Sequence, residues 1–269
     1  MEMVEINRGR SPVILGFPHT GTHVPGDIWA KLNETGRKLT DADWHIHELY
    51  QGLLPDVTTV RATFHRYCLD ANRDPSGASL YPGQNTTGLI PLADFDNRPL
   101  WIEGKEPDET ETVERVLRFH VPYHTALTAE IERVKAKHGV AILYDCHSIR
   151  SVCPFLFEGR LPDFNIGTDN GKTCDPLMER EVGAICGTAE GYTSVVNGRF
   201  RGGWTTRHYG QPAKGVHAIQ MELTQHTHLK SEALPFDYDA GKAARLRRVL
   251  QQVLDRIEAL AYELAYKGG

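Results

Sequence analysis

Residues 140–148 read VAILYDCHS, a run of five apolar residues that leads directly into an aspartate and a histidine. A short, continuous apolar run is typical of a strand that is buried on both faces. In open α/β sheets, ligands bind in the crevice at the carboxyl ends of the strands. Three other polar segments follow or lie within similar apolar runs: PHTG at 18–21, DANR at 70–73 and QMEL at 220–223. The sequence therefore predicts a site assembled from strand ends.

Composition limits the possible partners of the chain. It has 269 residues, 40% hydrophobic and 24% charged, with a net charge of −5 that argues against a nucleic-acid-binding surface. No apolar run approaches the roughly 20 residues that span a bilayer, and residues 1–12 lack the apolar segment of a secretory signal. The five cysteines are scattered without a CxxC pair, which favours reduced thiols. We therefore expect a cytoplasmic protein with no nucleic-acid or membrane partner.

Strand and helix patterns alternate along the chain. Strands are predicted at 13–17, 57–62, 67–71, 140–144, 192–197 and 216–223, and helices at 41–54, 108–138, 176–186 and 239–264. Pro122 should kink or split the predicted helix 108–138, and Gly139 should end it. Residues 72–107 and 198–210 are predicted loops. The alternation predicts one α/β domain over residues 1–269, with a mixed, largely parallel sheet flanked by helices.

His19 and His147 are the first candidates for metal ligands, because each is expected at the end of a strand. Asp145 shares a strand face with His147 and can hold the second nitrogen of a metal-bound imidazole. A catalytic zinc needs about three protein ligands and an open position. The sequence leaves the third ligand open among the polar residues at the start of a predicted helix: Asp41, Asp43, His45, His47 and Glu48.

Glu222 and Arg73 are the other candidates for function. A glutamate inside an apolar strand needs a partner or a task, and burial raises its pKa toward the range useful to a general base. Asn72 and Arg73 end another predicted strand, where a guanidinium beside an amide can bind a carboxylate. Other arginines can add to that contact: Arg66, Arg150, Arg199, Arg201 and Arg207.

Two patterns are given less weight. Cys146 is adjacent to His147, but strand alternation turns it to the opposite face, which disfavours a cysteine nucleophile. His120 and His124 have the spacing of helical metal ligands, but Pro122 lies between them and disturbs that geometry.

Nearly the whole chain resembles the N-formylglutamate amidohydrolases, or N-formylglutamate deformylases, of histidine degradation. The likeness lies in PHTG (18–21), DADWH (41–45), DANR (70–73), TTGL (86–89), PYH (122–124), DCHSIR (145–150), LPDFN (161–165), NGRF (197–200), RHYG (207–210) and the strand around Glu222. No single segment would suffice, and the combination is specific. Cys146 departs from the small residue, such as alanine, expected at that position, and a cysteine fits the same space.

The resemblance implies a fold and a reaction. The family is similar to the zinc carboxypeptidases, so the implied fold is zinc-carboxypeptidase-like, or phosphorylase/hydrolase-like. The implied reaction is the hydrolysis of N-formyl-L-glutamate, a small anionic substrate, to formate and L-glutamate. By the same likeness, one zinc ion per chain is held by His19, Asp43 and His147.

The remaining implied roles belong to catalysis and substrate binding. The likeness makes Glu222 the general base, and the hydrolysis also needs a donor that stabilises the oxyanion, for which Arg150 and His124 are candidates. The substrate carboxylates are bound by Asn72 and Arg73, with the loop arginines Arg199 and Arg207 as further candidates.

Two other classes of protein remain open at this point. A carboxypeptidase or peptidoglycan amidase would use the same site on a longer substrate and would need an open groove, whereas the 72–107 connection can cover the site. A non-catalytic protein with a structural zinc would need four ligands, usually including cysteines, and the cysteines are not placed for that. The sequence leaves the oligomeric state and the native metal open.

Overall fold

Seven strands form one mixed sheet in the computed structural model, which describes residues 2–79 and 83–267. The strands are β1 (Val4–Asn7), β2 (Val13–Phe17), β3 (Thr58–Ala62), β4 (Ala141–Ile149), β5 (Phe164–Gly167), β6 (Ser194–Val196) and β7 (Val216–Thr224). Their order in the sheet is β1-β3-β2-β4-β7-β5-β6. Only β1–β3 and β5–β7 pair antiparallel among these strands, which confirms the predicted mixed, largely parallel sheet.

Helices cover both faces of the sheet. They are α1 (Gly26–Trp29), α2 (Ile46–Tyr50), α3 (Glu109–Arg115), α4 (Val121–His138), α5 (Pro176–Gly187), α6 (Trp204–Tyr209) and α7 (Ala240–Lys267). One apolar core packs α2, α5 and α7 against the sheet, and a second packs α4 against the opposite face. Within the described ranges, no helix is both long and apolar enough to cross a membrane.

Successive side chains of β4 point to opposite faces of the sheet, and the site residues share one of these faces. Tyr144 and Cys146 belong to the core beneath α7, whereas Leu143 belongs to the core beneath α4. Asp145 and His147 share the face of Leu143, because side chains two residues apart on a strand point the same way. Cys146 therefore faces away from His147, as the alternation predicts.

The register of the central strands aligns the polar residues. His147 on β4 lies opposite Glu222 on β7, and Asp145 lies opposite Gln220. On the other side of β4, Gly16 of β2 lies opposite Asp145, so that His19 follows β2 close to the same sheet edge. Parallel pairing thus brings the carboxyl ends of β2, β4 and β7 together.

Two predicted elements before residue 72 are wrong. The predicted helix 41–54 is reduced to α2, because His45 has a left-handed backbone with φ of 59° and residues 41–43 serve other contacts. The predicted strand 67–71 is a series of turns, in which the Asp70 amide donates to the carbonyl of Leu89. Polar contacts to distant parts of the chain override the local pattern in both places.

The helix around Pro122 continues through a change of hydrogen bonding. A π-helical turn, Val116–His120, joins α3 to α4 directly before Pro122. Such a wider turn accommodates a residue that lacks an N–H. Gly139 ends α4 with φ of 75°, as predicted.

Several elements are missing from the sequence prediction. The strands β1 and β5 were not predicted, and α6 lies inside the predicted loop 198–210. Both missed strands are only four residues long, too short for a clear period. Residues 72–79 and 83–107 contain turns and isolated bridges but no regular helix or strand.

Gly21 is required for close packing of the segment that carries His19. A Cβ at this position would lie 2.3 Å from the carbonyl carbon of Thr63 and 2.4 Å from the carbonyl oxygen of Phe64. We expect Gly21→Ala to lower the free energy of unfolding by about 1–3 kcal/mol, since the backbone must move to admit the methyl group. Urea unfolding measures this change.

Gly26 provides the matched control for Gly21. It lies five residues further along, and a Cβ there would meet no atom within 4 Å. Gly26→Ala should leave stability unchanged or raise it by up to about 1 kcal/mol. Equal stability of the two variants would contradict the packing role of Gly21.

Candidate metal centre and active site

Three buried side chains converge where β2 and β4 end. His19 follows β2, His147 lies near the end of β4, and Asp43 lies on the segment before α2. The Nδ1 atom of His147 is 3.2 Å from Asp43 Oδ2, and the Nδ1 atom of His19 is 3.7 Å from the same oxygen. One ligand atom from each residue lies within 4.8 Å of the other two. This cluster is hereafter the triad.

An aspartate orients each imidazole of the triad from behind. Asp70 Oδ1 lies 2.7 Å from Nε2 of His19, and Asp145 Oδ2 lies 3.0 Å from Nε2 of His147. A carboxylate on the outer nitrogen fixes the tautomer, so that the inner nitrogen carries the lone pair. Both Nδ1 atoms therefore present lone pairs toward the triad centre.

The state of Asp43 tests whether the triad fits a metal. Its Oδ2 atom accepts a hydrogen bond of 3.1 Å from the Ser148 amide, but its buried Oδ1 atom has no hydrogen-bond partner among the described residues. A buried carboxylate oxygen without a partner is costly unless something positively charged completes its surroundings. Two imidazoles and one carboxylate form the ligand set of many catalytic zinc sites. The residues therefore fit a divalent metal.

The structure separates Asp43 from the other residues considered as the third ligand. Asp41 accepts a hydrogen bond from the Phe95 amide instead, and burial raises its pKa to about 6. His45 contacts Glu48 at 3.1 Å and is partly exposed, and His47 is also partly exposed on α2. Within residues 2–79 and 83–267, only Asp43 joins the two histidines in a candidate metal cluster.

Charges within the triad shift the pKa values of its members in opposite directions. Burial disfavours protonation of His147, but the carboxylates of Asp145 and Asp43 outweigh it and hold the pKa of His147 well above its ordinary value. Burial would raise the pKa of Asp43, but His19 and His147 keep that pKa below its ordinary range. A metal must displace the proton on His147, so its affinity should weaken as the pH falls.

Glu222 lies beside the triad on β7. Burial raises its pKa to about 8, and the neighbouring Asp43 and Asp145 carboxylates act in the same direction, against His147 and Arg66. Such a carboxyl group can both take and return a proton near neutral pH.

Three arginines line the same cleft. Arg66 is buried, with Nη2 2.5 Å from Asp70 Oδ2 and Nη1 3.9 Å from Asp43 Oδ1. Arg73 donates from Nε to the Thr87 carbonyl at 2.9 Å and from Nη2 to the Thr87 hydroxyl at 2.9 Å. These contacts hold two guanidinium groups in fixed positions beside the triad.

Arg199 is the third arginine that lines the cleft. It donates from Nε to the carbonyl of Leu156 at 3.1 Å and from Nη2 to the carbonyl of Asn85 at 2.9 Å. The guanidinium also lies over the ring of Phe200, 5.3 Å from its centroid, within the roughly 6 Å typical of cation–π contacts. Arg73 and Arg199 thus both donate to carbonyls of residues 85–87.

Asn72 lines the cleft but has two other contacts. Its Nδ2 atom lies 3.2 Å from His147 Nε2, and its Oδ1 atom accepts from the Thr205 amide at 2.9 Å. The amide oxygen thereby ties Asn72 to the start of α6. The sequence prediction that Asn72 binds a substrate carboxylate stays a prediction.

Three other residues predicted for the site lie outside the lining of the cleft. Arg150 pairs with Asp96 at 2.7 Å. His124 uses both ring nitrogens, toward the Ala71 carbonyl at 2.8 Å and the Tyr209 hydroxyl at 3.0 Å. Arg207 donates to the Gly202 carbonyl at 2.9 Å. The geometry does not bring these side chains to the triad.

The sequence prediction gave too little weight to three residues of the site. Arg66 was one of several arginines, Asp70 was only part of a segment, and Gln220 had no assigned role. Arg66 and Asp70 are four residues apart, and the strand predicted at 67–71 gives no reason for them to be in contact. The sequence does place Gln220 two residues before Glu222, and this spacing puts both side chains on one strand face.

The fold and the site define a class of protein, a hydrolase of mixed α/β fold with a candidate divalent-metal centre at the carboxyl ends of its strands. The chain belongs to the N-formylglutamate amidohydrolase family, whose model matches residues 11–229. This confirms the resemblance predicted from the sequence.

Two curated relatives cover nearly the whole chain. It is 44% identical to an N-formylglutamate deformylase of Pseudomonas aeruginosa, over 97% of this chain and 98% of the relative. It is 40% identical to an N-formylglutamate deformylase of Pseudomonas putida over the same shares, 97% and 98%.

Solved structures support the fold. The N-formylglutamate amidohydrolase of Ralstonia eutropha JMP134 superposes with a TM-score of 0.80 at 24% identity, covering 98% of this chain and 99% of that one. A protein from Agrobacterium tumefaciens superposes with a TM-score of 0.70 at 18% identity, covering 96% and 97%.

Asp145 is the residue to change in order to test the triad. Asp145→Asn preserves shape and can still accept from His147 Nε2, but it removes the charge that supports the imidazole. We expect affinity for a divalent metal to fall by roughly 10–100-fold, with the protein still folded. Competition with a chromogenic chelator measures this affinity.

Asp163 offers a matched control for Asp145. It forms a carboxylate–imidazole pair with His226 at 2.9 Å, and neither residue lines the cleft. Asp163→Asn should leave metal affinity unchanged. If both variants bind metal as the wild type does, Asp145 does not support a metal ligand.

Proposed function

We propose that this protein is a zinc-dependent N-formylglutamate deformylase, which hydrolyses N-formyl-L-glutamate to formate and L-glutamate. The observation that carries the proposal is the presence of the triad, the buried Glu222 and three arginines in one cleft. Family membership and curated relatives named N-formylglutamate deformylase, at 44% and 40% identity, support the choice of substrate.

The triad supplies the ligands of the metal in this proposal. His19, Asp43 and His147 would hold zinc, which supplies Lewis acidity and makes water a better nucleophile near neutral pH. Asp70 and Asp145 keep the two imidazoles in the orientation that presents Nδ1 to the centre.

Glu222 is the general base of the proposed reaction. It takes a proton from the water that attacks the formyl carbon and returns that proton to the leaving amine. A pKa raised to about 8 by burial suits a group that must do both. Its place on β7, in register with His147, puts the base beside the metal ligands.

Arg66 stabilises the negative charge that develops on the formyl oxygen. It is the most deeply buried of the three arginines in the cleft, and its Nη1 atom lies 3.9 Å from Asp43 Oδ1. Its buried Nε atom has no hydrogen-bond partner among the described residues. A fixed cation in a low-dielectric site is effective against developing charge. This role replaces the one expected for Arg150 or His124.

Arg73 and Arg199 bind the two carboxylates of the substrate. Both line the cleft and donate to backbone carbonyls of residues 85–87, and a substrate carboxylate would add charge-assisted hydrogen bonds to these guanidiniums. Residues 85–87 line the cleft between them, which favours a small anionic substrate over a long peptide.

Metal analysis with a formate-release assay tests the proposed reaction. Purified protein should contain about one divalent metal per chain, predominantly zinc, and should release formate from N-formyl-L-glutamate. Glu222→Gln should retain the metal and lower kcat by at least roughly a hundredfold, because an amide cannot take and return a proton.

Glu130 gives the control for this substitution. It is a buried glutamate on α4 that pairs with Arg8 and Arg133. Glu130→Gln should retain normal turnover. Near-normal turnover of Glu222→Gln would refute the base assignment, and loss of its metal would make Glu222 a ligand instead. Full activity of metal-free wild-type protein would refute the metal-dependent reaction.

A pair of substrates tests the two arginines. N-formyl-L-glutamine differs from N-formyl-L-glutamate only in lacking the side-chain carboxylate. We expect Arg73→Met and Arg199→Met each to lower kcat/KM for N-formyl-L-glutamate by about 10–100-fold, as for a lost charged hydrogen bond. One of the two arginines is expected to contact the side-chain carboxylate. The variant of that arginine should show no such decrease in kcat/KM with N-formyl-L-glutamine.

Arg180, which is largely exposed on α5, is the control for these substitutions. Arg180→Met should treat both substrates as the wild type does. If Arg73→Met and Arg199→Met each lower kcat/KM for both substrates by the same factor, neither arginine binds the side-chain carboxylate.

A further inference from the structure

Strands β4 and β7 carry the same two-residue arrangement side by side. On β4, Asp145 Oδ2 contacts Nε2 of His147, two residues further on, at 3.0 Å. On β7, Gln220 Nε2 donates to Glu222 Oε2, also two residues further on, at 3.1 Å. The register pairs Asp145 with Gln220 and His147 with Glu222. In each strand, the side chain of the first residue of the pair contacts the side chain of the second.

Gln220 is itself fixed at its other end. Its Oε1 atom accepts a hydrogen bond of 2.7 Å from the amide of Gly203, and the side chain is buried. Gly203 packs tightly against Asn72, since a Cβ there would lie 2.3 Å from Asn72 Nδ2. The amide of Gln220 therefore has a defined orientation, with its NH₂ group directed at Glu222.

The contact from Gln220 is also the main polar restraint on Glu222. Among the described residues, no other hydrogen bond to the Glu222 carboxylate is present. A glutamate has three rotatable side-chain bonds, and an unrestrained carboxylate in a cleft samples several orientations. The bond to Oε2 selects one orientation and leaves Oε1 as the oxygen available for proton transfer.

We propose that Gln220 is the positioning residue of the general base, acting on Glu222 as Asp145 acts on His147. This assignment rests on the proposed role of Glu222. An amide suits the task because it donates to a carboxylate without adding charge. A second carboxylate at this position would repel the base or hold a proton against it.

Two substitutions separate the two ends of Gln220. Gln220→Glu keeps an acceptor for the Gly203 amide but replaces the neutral donor toward Glu222 with a carboxyl group that either repels Glu222 or shares a proton with it. Gln220→Met has a similar shape and removes both contacts. We expect each variant to lower kcat for formate release by about 10–100-fold, as for a lost hydrogen bond to a charged group. KM should change by less than about threefold, and metal content should stay at one per chain.

Thr173, in the loop before α5, provides a control that contacts the same strand as Gln220. Its hydroxyl donates to the Ala218 carbonyl of β7 at 2.8 Å, and it does not line the cleft. Thr173→Val also loses a buried hydrogen bond, so it should lower the melting temperature while retaining wild-type kcat. A purely structural role for Gln220 would give its variants that same pattern and would overturn the proposal. Loss of metal from Gln220→Glu would also overturn it.

A crystal structure of Gln220→Met gives a test that does not depend on activity. We expect the Glu222 carboxylate to leave its wild-type orientation while His19, Asp43 and His147 stay in place. An unchanged Glu222 would overturn the positioning role. If the wild-type protein releases no formate from N-formyl-L-glutamate, the proposed function fails, and this structure alone decides the role of Gln220.

Discussion

Compensation of buried negative charge is the constraint on which the site depends. Asp43, Asp70 and Asp145 are almost completely buried within a few ångströms of the two histidines. An isolated buried carboxylate would cost several kcal/mol, so each one needs a partner in a fixed place. Burial would raise the pKa of Asp70, but Arg66 and Arg73 hold it well below its ordinary value. The imidazoles and guanidiniums are thus as necessary to the fold here as to the chemistry.

The sheet supplies the fixed places that this compensation requires. Three polar strand ends can share one site only because β2, β4 and β7 pair in parallel, with apolar cores on both faces to hold their register. A slip of one residue on β7 would turn Glu222 into the core beneath α7. The compensation is nevertheless incomplete, since Asp43 Oδ1 and Asp145 Oδ1 lack hydrogen-bond partners among the described residues. Unsatisfied polar atoms of this kind are expected where a ligand completes the site.

The sequence predicts those parts of this arrangement that depend on one strand at a time. The apolar run of residues 140–144 and the alternation that separates Cys146 from His147 are local properties, and the structure agrees with both. The helix predicted at 41–54 is wrong because Asp41 and Asp43 contact residues far away in the chain, which a local pattern does not record.

The same limit applies to the cations of the cleft. Sequence reasoning cannot rank six arginines, since their differences lie in burial and in partners brought by the fold. Arg66 differs from Arg150 because one is buried between Asp70 and Asp43 and the other pairs with Asp96. The family resemblance identifies the reaction, but it does not identify which arginine lies beside the reacting group.

The protonation of the site follows from the same electrostatics and links metal binding to activation. Without a metal, the raised pKa values of His147 and Glu222 favour a proton on each, while Asp43 stays ionised. A divalent cation at the triad would displace the proton of His147 and, through its charge, lower the pKa of Glu222. The event that completes the centre would therefore also convert Glu222 from an acid to a base. Burial of Glu222 beside the triad, and not merely its presence in the cleft, makes that conversion possible.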